Sequence, residues 1–300
     1  MLGLKSARGE RDKAADVVAR ARILPAGDQR RWEVITELNG IGIKTVFETA
    51  AELIETGDRD SVVLGAEILD GMFNARYVAA QRFASAAERL VDPLCTPDQD
   101  PLVLATALHA YTILFARNGP LLLDLVKHSD ARVRASACQL IAVEQLEAPE
   151  DRIIEALIEA LAHDQNEDVR GHAAGGLLLV YSNDERSKPQ IASILDRYRS
   201  DPSPAVRVAA IQAASNDDAE RILARLTSEL RDPAANWRFV QACDGRGFWE
   251  SASDSTRSDA ARALTRLREQ AWAARETPGQ YPLAHQREEL LAEAIEAVTP

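Results

Sequence analysis

Apolar residues recur along this chain at spacings of three, four and seven, with polar positions between them. Ile154, Leu157, Ile158 and Leu161 form one such stripe within 151–163, and Ile191, Ile194, Leu195 and Tyr198 form another within 187–199. That period places each set on one face of an amphipathic helix. The segment 169–180 between them is rich in small residues. Gly171, Ala173, Ala174, Gly175 and Gly176 lower or merely hold helix propensity but let a neighbouring helix approach closely. Glu167 and Asp168 suit the positive end of that helix, residues 181–185 turn the chain, and Pro189 is tolerated in the next first turn. Strand-like alternation competes nowhere. The predicted unit is a pair of antiparallel helices.

The unit repeats. Segments 130–137, 167–173 and 203–210 each place Val-Arg at a helix start, with a small residue four positions after the valine. Weaker copies stand at 28–34, 60–66 and 100–107. Indexed on that later position, the copies fall at Val34, Ala66, Ala107, Ala137, Ala173 and Ala210, separated by 32, 41, 30, 36 and 37 residues. A helix pair cannot bury its apolar face alone, so stacked copies must share one continuous core. Ala137, Ala173 and Ala210 are expected where helices cross.

These residues resemble HEAT repeats, and in their shortness the HEAT-like repeats first associated with phycobilisome lyases. The Asp-x-x-Val-Arg helix start stands at 130–134, with variants at 168–170 and 203–207. The first three copies depart from it, with Arg31, Val63 and Leu104 in the place after the valine position. The resemblance covers roughly 28–230. It implies an all-α superhelix of about six to seven antiparallel helix pairs, an armadillo-type solenoid. It also implies that the Asp and the Arg are stacking residues, so Arg134, Arg170 and Arg207 are expected to be structural rather than a ladder for phosphates.

Composition narrows the function. Net charge is −12 and the pI near 5.0, against a sequence-independent grip on nucleic acid. The first 34 residues are the exception at +3, as expected of a solvated leading helix. No apolar run reaches the length of a membrane span, and the start lacks the pattern of a secretory signal. Cys95, Cys138 and Cys243 are scattered among apolar neighbours, which suits buried thiols in a reducing cytoplasm. Phosphate loops, nucleophile elbows and paired histidine ligands are absent from the sequence. His128 and His163 are expected at the ends of second helices, where imidazolium complements the helix dipole. The iron-dependent deoxyhypusine hydroxylases share the repeat type but rely on His-Glu pairs, and no histidine here precedes a glutamate. No catalytic residue, cofactor or metal is therefore expected.

The expected second helices carry mixed charges, including Glu48, Glu52, Arg82, Arg152, Glu155, Glu159, Asp196, Arg221 and Arg225. That mixture does not make the basic channel of a HEAT-fold DNA glycosylase. The reading is a non-catalytic, cytoplasmic scaffold that binds a protein partner, as an adaptor, assembly factor or immunity-type binder. Neither nucleic acid nor membrane is expected as a partner, and Glu155, Glu159, Asp196, Arg221 and Arg225 are its candidate contacts. The alternative is a HEAT-fold enzyme or chaperone, bilin-lyase-like or DNA-glycosylase-like.

Three of the four tryptophans, Trp237, Trp249 and Trp272, cluster near the C-terminal end. Residues 236–243 read as the first helix of a seventh, degenerate repeat, 254–275 as a polar helix and 283–298 as a last amphipathic one. The expected organisation is an N-terminal capping helix in 1–27, repeats over 28–250 and a helical cap over 251–300. The aromatic group either seals the end of the array or presents Arg246, Phe248 and Trp249 as an exposed anchor. Glycines flank Arg246, so the loop is free to turn the Trp249 indole outward, whereas Trp237 is expected to face neighbouring helices.

Overall fold

The computed structural model describes residues 2–114, 119–143, 151–213, 219–244, 248–275 and 280–300. Among these every regular element is helical and none is a strand. The chain divides into two compact units, Met1–Glu144 and Gln145–Pro300.

The first unit holds α1 (Leu2–Arg22), α2 (Gln29–Thr36), α3 (Ile43–Glu55), α4 (Arg59–Ala80), α5 (Ala84–Val91), α6 (Pro101–Leu114), α7 (Gly119–Leu125) and α8 (Ala131–Val143). Its axis is α4, which packs most extensively on α3 and α6. Leu64, Ile68, Leu69, Met72 and Phe73 of α4 are all buried, which fits a helix that is apolar around most of its circumference. Gly65 sets the spacing to α3: a Cβ there would stand 2.7 Å from Ile54 Cγ1 and 2.8 Å from the Ala50 carbonyl oxygen. Only a hydrogen fits.

The second unit holds α9 (Asp151–His163), α10 (Glu167–Asn183), α11 (Lys188–Asp196), α12 (Pro204–Gln212), α13 (Ala219–Glu229), α14 (Trp237–Ala242), α15 (Asp254–Glu269) and α16 (Ala284–Val298). Helices α10, α12, α14 and α16 pack in succession, and α13 packs on α15. Asn166 caps α10, its side-chain oxygen accepting the N–H groups of Asp168 and Val169 at 2.9 and 3.2 Å. Gly171 admits α12, since a Cβ there would lie 2.9 Å from the Ala205 Cβ. Gly175, expected in the same packing stripe, is exposed and has nothing near it.

Other details also depart from the sequence expectation. Helix α11 ends at Asp196 rather than near 199, so Tyr198 lies in a following turn, half-buried. Ile158 and Ile194 are half-buried as well, while Ile153 and Ala192 are buried. The polar helix stops at Glu269, and a short turn carries Trp272 into the core. His163 closes α9 as expected. His128 lies beyond α7, where its Nδ1 accepts the Asp130 N–H at 3.0 Å. The small residues at the crossings do behave as expected: Ala137, Ala173 and Ala210 are all buried. Replacing Ala173 with Leu should overpack the α10 contacts and cost about 1–3 kcal/mol. Chemical unfolding measures it, and an unmoved midpoint would mean the helix register is misassigned.

Candidate functional site

The arginines after the repeat valines share one geometry. Arg134 Nη1 donates to the carbonyls of His128 and Ser129 at 2.8 and 2.9 Å. Arg170 Nη1 reaches those of Asp164 and Gln165 at 3.2 and 3.4 Å, and Arg207 Nη1 those of Asp201 and Pro202 at 2.9 and 3.1 Å. In each case the acceptors lie six and five residues before the arginine, in the turn that enters its helix. Arg170 also pairs with Asp201, in the turn before α12, at 3.5 Å, which ties α10 to the pair that follows. Arg207 pairs with Glu229 at the end of α13 at 3.2 Å, which joins the two helices of its own pair. Asp130 accepts the Arg132 N–H at 2.9 Å, and the Arg132 guanidinium holds its carboxyl down to about 2. These groups fasten the repeat to itself.

The first unit has a different buried cluster. Arg31 of α2 pairs with Glu67 of α4 at 2.6 Å, both side chains almost wholly buried. Its Nη1 donates to the Leu24 carbonyl at 3.1 Å, while its Nη2 is buried with no partner among the described residues. Arg31 thus holds the turn before α2 much as the later arginines hold theirs. Burial pushes the Glu67 carboxyl up against the opposing pull of Arg31 and of the Gly27 N–H. Asp70, one turn on, accepts a hydrogen bond from Asn74 Nδ2 at 3.0 Å. Burial and the Glu67 charge push it up to about 7. A cleft of about 500 Å³ beside this cluster is lined by Arg22, Arg31, Asp58, Asp60 and Ser61. Arg22 Nη2 donates to Ser61 Oγ at 2.9 Å and Asp58 accepts the Ser61 N–H at 3.0 Å, so its polar groups largely serve one another.

In the second unit the sequence candidates fall on three helices. Glu155 and Glu159 are exposed on α9, Asp196 is exposed at the end of α11, and Arg221 and Arg225 are exposed and half-buried on α13. Asp196 pairs locally with Arg199. Arg246 lies outside the described residues, and Phe248 opens a short 3-10 turn through Ser251.

Trp249 is expected either in a sealing cap or as an exposed anchor, and the structure contradicts the exposed arrangement. Its indole is 3% exposed, and Nε1 donates to the Cys243 carbonyl at 2.8 Å. The bond removes the polar cost of burial, and the ring joins a core with Phe239, Trp272 and Leu291. Trp272 does the same, donating to the Ala235 carbonyl at 2.8 Å. Trp237 is the tryptophan left half-buried at the edge of this core. Tyr281 meets it edge-on at 5.0 Å, and the Arg238 guanidinium lies 4.5 Å over its ring. Sequence reasoning missed this trio, although helix geometry carried a signal. Trp237 and Phe239 point about 200° apart on a helix, so both cannot face one core.

Among the described residues no group of three or more His, Cys, Asp or Glu is placed to hold a metal ion. The structure is all-α among the described residues, built of packed helices within each unit. Residues 119–213 match the family model for HEAT repeats, and that segment is a run of HEAT repeats. Among solved structures, YibA of Escherichia coli is similar at 16% identity, with 93% of this chain and 94% of that chain covered and a TM-score of 0.46. A second similarity is to a structure titled for tubulin recruitment and assembly by microtubule polymerases with TOG domain arrays. It has 13% identity, covers 84% of this chain and 68% of that chain, and has a TM-score of 0.32. No curated protein matches the chain significantly. The HEAT assignment rests on the family match and on the repeated arginine geometry.

The Asp70 carboxyl generates a pH prediction. An acid whose pKa is raised by folding stabilises the fold fully below its ordinary value of 3.8 and loses that contribution as pH rises through about 7. A displacement of about three pH units corresponds to about 4 kcal/mol. Asp70→Asn, which keeps the acceptor for Asn74, should therefore be more stable than the parent at pH 8, with the gap shrinking toward pH 5. Urea unfolding at both values checks this. Equal pH slopes in the two proteins would contradict it.

Proposed function

We propose that this chain is a non-catalytic HEAT-repeat scaffold that binds a protein partner along the exposed side of α9, α11 and α13. The observation that carries this reading is the division of labour among its polar side chains. Arg134, Arg170 and Arg207 are engaged with backbone carbonyls inside the repeat, while Glu155, Glu159 and Asp196 stand exposed on second helices. Repeat stacks use such surfaces to bind along their length. Arg221 and Arg225 add cations at one end, so the surface suits a partner of mixed charge with a basic portion over α9. The net charge of −12 speaks against nucleic acid as that partner.

A cytoplasmic site of action fits the cysteines. Cys95, Cys138 and Cys243 are buried reduced thiols, and burial pushes the Cys95 and Cys243 thiols up to about 12, which leaves those two inert. Among the described residues no helix is long and apolar enough to cross a membrane. Residues 1–27 and 251–300 serve in this reading as end caps around the repeats of 28–250. An adaptor, an assembly factor and an immunity-type binder all use a surface of this kind.

The test is affinity capture from the source cell with the parent chain and with a Glu155→Lys, Glu159→Lys double variant. Both positions are exposed, so the thermal midpoint should hold. The expected result is a stoichiometric protein partner that the variant loses by about tenfold or more in affinity. A partner retained equally by both proteins would contradict this placement of the surface, and the lack of any stoichiometric partner would contradict the scaffold reading.

A further inference from the structure

The second unit carries an arginine with no acceptor of its own. Arg238 of α14 is half-buried, and its guanidinium lies 4.5 Å over the Trp237 ring. Its backbone N–H is taken by the Asn236 cap at 3.0 Å. Among the described residues the guanidinium has no hydrogen-bond or ion-pair partner. Tyr281 is 44% exposed and meets Trp237 edge-on at 5.0 Å and 88°.

We propose that Trp237, Arg238 and Tyr281 form a docking site for a partner polypeptide presenting one carboxylate side chain beside an apolar one. This rests on the scaffold reading above and adds a second, separate point of attachment. The carboxylate would take the open guanidinium in a paired, fork-to-fork arrangement, and the apolar side chain would lie against the Trp237 and Tyr281 rings. Trp, Tyr and Arg are the residues that dominate interface hot spots. Stacking on Trp237 already orders the guanidinium, so less freedom is lost when an acceptor arrives.

The surrounding charges favour an anion, and only a small one. Glu167 and Asp168 act on Arg238 through space without closing to ion-pair distance. Burial lowers the Arg238 pKa by more than those two carboxylates raise it, so the cation remains short of compensation. His172 shows the same imbalance: burial first, then the Arg238 charge, pushes its imidazole down. A single carboxylate relieves the shortage. A run of phosphates or acids would instead meet Glu167, Asp168 and the overall charge of −12.

A displayed random-peptide library selected on the intact chain tests the site. Selected peptides should share an Asp or Glu beside an apolar residue. A synthetic copy should lose about tenfold in affinity against Arg238→Gln and against Trp237→Ala. Amidating its acid should cost the same against the parent and nothing more against Arg238→Gln. If Arg238→Gln lowers the thermal midpoint, Arg238→Lys makes the comparison by keeping the charge and losing the fork. The proposal is overturned if selection yields no peptide, if the peptides share no acid, or if they bind Arg238→Gln as well as the parent. Partner capture that depends on Glu155 and Glu159 but ignores Arg238 would remove this site and leave the scaffold reading standing.

Discussion

One contact recurs through the repeats: an arginine near the start of a helix donates to two carbonyls five and six residues behind it. Carbonyls in the turn between two helices have no helical partner, and leaving them bare is costly if the turn is to be covered by the next layer. A guanidinium suits the task because its donors sit in a rigid plane that can serve two oxygens together. Arg134, Arg170 and Arg207 each do this with one nitrogen, Nη1. The other donors of Arg170 and Arg207 reach forward to Asp201 and Glu229. The contact therefore fixes the angle at which a helix enters, while Arg170 also ties α10 to the next pair and Arg207 joins the two helices of its own pair.

Close packing follows from that angle. Gly171 lets α10 approach α12, and Ala173 and Ala210 are buried at the crossings. In the first unit Gly65 plays the same part between α3 and α4, and Arg31 replaces the valine-arginine device with a buried pair to Glu67. Near the C-terminal end two tryptophans close the core, each with its indole N–H on a backbone carbonyl. What is left outside is a mixed-charge surface on α9, α11 and α13, and one stacked arginine on α14.

The repeat was legible because its signal is local: a valine, an arginine and an alanine at fixed offsets within one helix. Contacts that depend on distant segments were not. Tyr281 meets Trp237 from far along the chain, and nothing near Trp237 announces it. Trp249 follows glycines that suggested freedom, yet a carbonyl six residues back captures its indole. The end of α11 was overextended because Tyr198 continues the apolar spacing after the helix has stopped. Asp70 is hard to single out because α4 reads as apolar around most of its circumference, although the structure buries two of its carboxyls, Glu67 and Asp70.

The central claim is that the arginine fork, more than its charge, holds each first helix to the turn that enters it. Arg170→Met keeps the aliphatic stem and removes every donor, leaving the Asp164 and Gln165 carbonyls without their side-chain donor. Urea unfolding of that variant should show a loss of about 1–3 kcal/mol, and Arg170→Lys should recover only part of it. Full recovery by lysine would contradict the account, as would an Arg170→Met protein as stable as the parent.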